Sequence, residues 1–256
     1  MTEASPKEPI AQPIRETLTS LYSALEEGRP WSLVRLGDGE LKILGMAHAP
    51  LSHVENRVAS TSDLGMLRRS SIQAIRNADW VGWHQDPWLG FWMEAFGLLP
   101  ALYERSAYAW VNLHMGLRRS FVERVLRQEP LFLIGEPMER WLADYLRPLG
   151  LGEKAKVYRG QSTPSNEREL RGIFRAIEAS EARVIMASLG VWALPVCDCA
   201  KGLGKIGIDW GHAPDHNLQF NEPHWQYRLN TCCPDSPEGT MQHYRHAGAA
   251  DQCLPV

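Results

Sequence analysis

No stretch of about 18 uninterrupted apolar residues occurs in the chain, and its first residues, MTEASPKEPIAQP, lack the apolar core of a secretory signal. A cytoplasmic protein without a membrane span is expected. Positive charge is not in excess either: 27 Lys and Arg stand against 30 Asp and Glu, a formal charge of −3 that offers no broad cationic surface for nucleic acid. Cysteine is scarce and poorly placed for staples. The five thiols, at 197, 199, 232, 233 and 253, are odd in number and clustered late, unlike the spaced even set of a disulfide-rich secreted domain. Neither Cys197-x-Cys199 nor Cys232-Cys233 has the C-x-x-C spacing of a common zinc site. Reduced thiols with no assigned role are expected, and no internal repeat is found.

The composition that remains is that of a globular small-molecule protein. Of its 256 residues, 44% are hydrophobic and 22% charged, enough apolar material for one packed α/β core with short extensions. Residues 1–12 carry prolines and charges without periodicity and are expected to form a flexible N-terminal tail. The main domain is expected over 13–220. Residues 221–256, rich in Pro, His and Cys, are expected as an irregular C-terminal extension.

Within the domain two periods alternate. Ile14, Leu18, Leu21, Tyr22 and Leu25 fall on one helical stripe that Gly28 and Pro30 stop. Trp31–Leu36 then forms a short apolar run, as expected of a strand buried on both faces of a parallel sheet. Further strands are predicted at Trp80–Gly82, Tyr108–Val111, Leu131–Ile134, Lys156–Tyr158, Val184–Ala187 and Ile206–Ile208. Helices are predicted around Leu117–Leu126, around Leu170–Ile177 behind an Asn166/Glu169 capping box, and over Val191–Leu203. This order predicts a Rossmann-like α/β fold, a mostly parallel sheet with helices on both faces and ligands beyond the carboxyl ends of the strands. The Trp-rich span from Trp80 to Trp110 reads as helical core packing, with an aromatic sugar platform as the alternative.

Two blocks carry candidate chemistry. Arg35-Leu-Gly-Asp-Gly-Glu40 puts two carboxylates two residues apart at the end of the first strand. In an extended segment both side chains point the same way, and carboxylate oxygens suit Mg²⁺ or Mn²⁺ together with a substrate's phosphates. Arg35 is a candidate bidentate phosphate contact, and Gly37 and Gly39 are candidates for close backbone approach or positive φ. Asp-Gly is also a common turn dipeptide, so spacing alone leaves a simple turn open. In the second block, Ser188-Leu-Gly190 turns from a strand into a helix whose amides are candidate phosphate donors. The final strand then brings Asp209 and His212, with Asp215 and His216 close behind, to the same edge as a metal ligand, general base or sugar hydrogen-bond partner.

Taken together, RLGDGELKIL and SLG…AKGLGKIGIDWGH resemble the GT-D family of bacterial glycosyltransferases. The resemblance implies a GT-D type of Rossmann-like domain in which Asp38 and Glu40 hold Mn²⁺ or Mg²⁺ and a nucleotide-sugar. It also implies a donor-site or metal-site role for Asp209 and His212, with glucose or a related sugar coming from a UDP-sugar donor. Val191-Trp192 after the Ser188 turn and Ala-Pro-Asp-His after His212 depart from the family pattern. A glycan or small molecule is the expected acceptor, and His212, Asp209, Asp86 and His114 are all open as its base. A metal-dependent phosphohydrolase and a non-catalytic nucleotide-binding module remain the alternatives.

Overall fold

The computed structural model describes residues 14–45, 58–83, 96–98, 105–108, 111–116, 118–160 and 163–214. The expected N-terminal tail, the C-terminal extension, and Asp86, Asp215 and His216 lie outside these residues. The described chain forms a seven-stranded sheet in which every pairing is parallel. Its strands are β1 (Trp31–Leu36), β2 (Trp80–Trp83), β3 (Ser106–Tyr108), β4 (Leu131–Ile134), β5 (Lys156–Val157), β6 (Val184–Ala187) and β7 (Ile206–Asp209). Across the sheet the order is β3-β2-β1-β7-β6-β4-β5. The chain therefore winds outward from β1 through β2 to β3, then jumps to the far side and works back to β7, which pairs with β1. Such a reversal opens a crevice beyond the carboxyl ends of β1 and β7.

Strand periodicity sends alternate residues to opposite faces. Val34 and Leu36 pack with α2 (Asp38–Gly45), α3 (Thr61–Asn77), α7 (Glu167–Ala179) and α8 (Ala193–Gly202). Trp31 and Leu33 pack with α1 (Ile14–Glu27), α4 (Val111–Gly116), α5 and α6 on the other face. Here α5 is Arg119–Phe121 continuing as a π-helical turn, Val122–Leu126, and α6 is Glu136–Trp141 continuing through Leu142–Leu146. Both faces of the sheet are covered, so β4, β6 and β7 are buried along their whole length. Within the described part of the Trp-rich span, Trp80 and Trp83 are core residues as expected, but on strand β2 rather than on a helix.

Beyond shifts of one or two residues at several element ends, three features differ from those expected. The third strand ends at Tyr108, and Val111 instead opens α4, because an apolar run this short does not distinguish a buried strand from a buried helix. The Asn166 cap is made, its side chain accepting from Glu169 N–H, and the Glu169 carboxylate in return accepts from Ser165 N–H, one residue before the cap. Most consequential is Asp38, which opens helix α2 instead of a turn. The backbone from Asp38 onward is helical, so the extended segment expected for Asp38-Gly-Glu40 is not formed.

Close contact fixes α8 on the sheet. A Cβ on Gly207 of β7 would stand 2.8 Å from Cys197 Cα and 2.5 Å from its carbonyl oxygen. Gly207→Ala should therefore cost about 1–3 kcal/mol through backbone displacement. Gly202→Ala, whose added methyl meets nothing within 4 Å, should be near neutral. Urea denaturation of the two variants checks the difference.

Candidate functional site

The crevice is built where the β1–β7 ladder ends. Their registered pairs stop at Leu33 and Ile208, and beyond them the Asp209 side chain takes over as acceptor. Its Oδ2 accepts from Arg35 N–H at 3.2 Å and its Oδ1 from Gly211 N–H at 3.0 Å. The Arg35 guanidinium lies 3.9 Å from the same Oδ1, with only 11% of the Arg35 side chain exposed. One carboxylate thus ties the ends of both strands and holds the cation beside them.

Gly211 makes room for that cation. At φ +50° it adopts the left-handed region, and a Cβ there would collide with the Arg35 guanidinium. The following His212 is exposed. The turn that carries it is braced from two sides: Asn112 Nδ2 donates to the Trp210 carbonyl at 2.6 Å, and Ser188 Oγ donates to the Gly211 carbonyl at 2.5 Å. Trp210 itself is fully buried, stacked on Phe121 at 5.4 Å and tilted against Trp141 at 5.7 Å.

Glu40 enters from the first turn of α2. Its Oε2 accepts from Gly37 N–H at 2.9 Å, and a Cβ on Gly37 would stand 3.0 Å from that oxygen. Gly39 has the same closeness to Val191 Cγ1. Neither glycine has a positive φ; each admits a close neighbour instead. Desolvation raises the Glu40 carboxyl above its ordinary range, against the opposing pull of Arg35 and His212. Burial, reinforced by the charge of Glu40, pushes Asp209 up to about 7 despite Arg35.

The structure therefore brings Arg35, Gly37, Glu40, Asp209 and His212 to one crevice, with Asp38 at the start of the same helix; the Asp38 and His114 side chains are not among those described. Ser188 behaves differently from expectation. Its N–H donates to the Ile134 carbonyl and its hydroxyl to Gly211, so both donors are committed to the protein rather than offered to a phosphate. Gly190, at φ +54°, opens a short 3₁₀ turn, Gly190–Trp192, before α8 begins.

Sequence reasoning missed the supporting roles of Asn112 and Gly135. Gly135, at φ +135°, directly follows β4 and lies so close to the Ser188 backbone that a Cβ would be 2.8 Å from Ser188 C. A glycine between an apolar run and a Glu-Pro helix start was the available signal. Asn112 gave none, because only tertiary packing brings α4 to Trp210.

These features define a doubly wound α/β protein with an acidic, cation-braced cluster at its switch point. The chain belongs to the GT-D-like family, whose GT-D fold-like domain model matches residues 13–217. A solved structure described as the highly conserved domain of unknown function 1792, with a distinct glycosyltransferase fold, is similar at TM-score 0.51 and 17% identity, over 84% of this chain and 82% of that one. A selenomethionine-substituted structure of domain of unknown function 1792 is similar at TM-score 0.54 and 16% identity, over 97% and 91%. At such identities the likeness shows the fold, here a glycosyltransferase fold. Comparison with curated proteins gives no match.

Two outcomes follow. Gly211→Ala should destabilise the protein by about 1–3 kcal/mol, through the strain of a side chain at positive φ together with the displacement of Arg35. In the Arg35→Ala background the same substitution should cost less, and a double-mutant cycle by chemical denaturation reads the coupling. The second concerns pH. Asp209 keeps its proton in the folded protein up to about 7 but loses it near 4 when unfolded, so the folded state binds more protons in between and stability falls as pH rises from about 4 to 7. Glu40, also raised, adds in the same direction, whereas Glu27 and Glu169 are lowered and their opposite contribution is complete near their ordinary 4.5. Unfolding free energies in metal-free buffer should show this decline, and Asp209→Asn should flatten it.

Proposed function

We propose that the protein is a glycosyltransferase taking glucose or a related sugar from a UDP-sugar, with Mn²⁺ or Mg²⁺ held by Asp38 and Glu40. The observation that carries this reading is the placement of Glu40 beside Asp209, Arg35 and His212 at the switch-point crevice, on the first turn of the helix that follows the central strand. A nucleotide diphosphate fits there because α2 directs its amino end toward the crevice.

The residues suit a hard divalent cation. Carboxylate oxygens are its preferred donors, and Glu40 retains acceptor capacity beyond its bond to Gly37. Both Glu40 and Asp209 are desolvated and raised, and Glu40 raises Asp209, so a bound cation would relieve the excess negative charge between them. When bound, the metal would supply neutralisation of the charge on a departing nucleoside diphosphate.

The chain's own groups have distinct parts to play. Asp209, 3% exposed, is a positioning residue: it orients Arg35 and fixes the Gly211 turn. Arg35 supplies positive charge at the phosphates. Exposed His212, on the turn braced by Asn112 and Ser188, is placed to accept the proton of an acceptor hydroxyl, a glycan or a small molecule. Among the described residues no helix is long and apolar enough to cross a membrane.

Calorimetric titration of UDP and UDP-sugars, with and without Mn²⁺, tests the reading. Metal-dependent binding is expected in the wild type, weakened at least about tenfold by Asp38→Ala or Glu40→Gln. His212→Ala should leave donor binding nearly unchanged and slow transfer by about 10²-fold or more. Metal-indifferent binding would turn the assignment toward a non-catalytic module, and sugar release without acceptor at full rate toward a hydrolase.

A further inference from the structure

Away from the switch point, a groove of about 420 Å³ runs between α6 and the edge strand β5. Its floor comes from Leu142, Ala143, Ala155 and Val157, and its rim carries Arg147, Lys156 and Arg159 against one carboxylate, Glu139. The groove has a physical origin in the winding. The chain leaves β5 for α7, which packs on the opposite face, so beyond α6 no described helix covers β5 on the α6 side. Among the described residues, Arg147, Lys156 and Arg159 form no ion pair with a carboxylate, whereas neighbouring Arg140 is paired with Asp144 at 3.3 Å.

We infer that this groove is a binding site for a phosphorylated small molecule whose phosphate is held by Arg147, Lys156 and Arg159 while its apolar part lies on Leu142 and Val157. Three cations against one anion favour a dianionic group, and the guanidinium forks of Arg147 and Arg159 match phosphate oxygens. The concave volume and apolar floor suit a compact ligand rather than a flat membrane surface. With β5 three strand spacings from β7, the groove lies roughly 15 Å from the crevice across the sheet. A separate ligand, or the far end of an extended one, is thereby specified.

Phenyl phosphate, titrated into the full chain in metal-free buffer and followed by calorimetry, is the direct probe. Saturable binding is expected, about tenfold weaker in an Arg147→Ala/Lys156→Ala/Arg159→Ala variant and tighter in Glu139→Gln. The four positions are exposed, so these variants should fold as the wild type does, and circular dichroism checks this. Absence of saturable binding, or equal affinity in the triple variant, would overturn the site. So would failure to bind phenyl phosphate combined with retention on phosphatidylglycerol vesicles that the triple variant loses, which would make the patch a membrane contact. UDP binding with Mn²⁺, measured on the same triple variant, should be unchanged. Its loss in Glu40→Gln but not here separates the crevice from the groove, so either assignment can fail alone.

Discussion

The carboxylate of Asp209 is the contact on which the crevice depends. Parallel strands need each backbone N–H answered, and the β1–β7 ladder runs out of registered partners after Leu33 and Ile208. Asp209 supplies the missing acceptor to Arg35 N–H, turns its other oxygen to Gly211 N–H, and sets the Arg35 side chain beside them. Without it, the amides of Arg35 and Gly211 would lose this shared acceptor. The same group is costly to ionise where it stands, and Glu40 adds to that cost. The proposed metal and phosphate chemistry draws on this balance of charge.

Layering explains why that crevice is rigid. On one face α8 lies against Gly207 so closely that a methyl group would not fit; on the other, Trp210 locks the chain after β7 between Phe121 and Trp141. The turn bearing His212 is therefore held by a buried aromatic on one side and by hydrogen bonds from Ser188 and Asn112 on the other. Side chains read as candidate ligand contacts can serve as braces. Ser188 is the clearest case: it sits at the expected edge of the sheet, but its hydroxyl and amide hold the protein together.

Residues were legible in proportion to how local their causes are. The stripe from Ile14 to Leu25 and the four-residue runs of β4 and β6 match the expected elements because period and burial are written into the side chains themselves. Arg35, Glu40, Asp209 and His212 could be named as site candidates because each lies at or just beyond the carboxyl end of a strand, and strand ends in a parallel sheet share one edge. The extended geometry assigned to Asp38 and Glu40 was wrong because Gly-Asp-Gly is compatible with both a turn and a helix start; the apolar residues Ile43 and Leu44 decide for the helix by burying against the sheet. Val111 was misassigned for the matching reason, its run being too short to carry a period.

By itself, the sequence determined the alternation of short apolar strands with amphipathic helices, and hence a parallel α/β sheet with polar residues gathered at its carboxyl edge. These follow from side-chain period and from the demand that both faces of a parallel sheet be covered. Only the tertiary structure decided the strand order that makes β1 and β7 neighbours, the collision surface between Gly211 and Arg35, the bracing by Asn112, and the uncovered groove beside β5. Each of these joins residues far apart in the chain, and their contact energies depend on packing that no local pattern encodes.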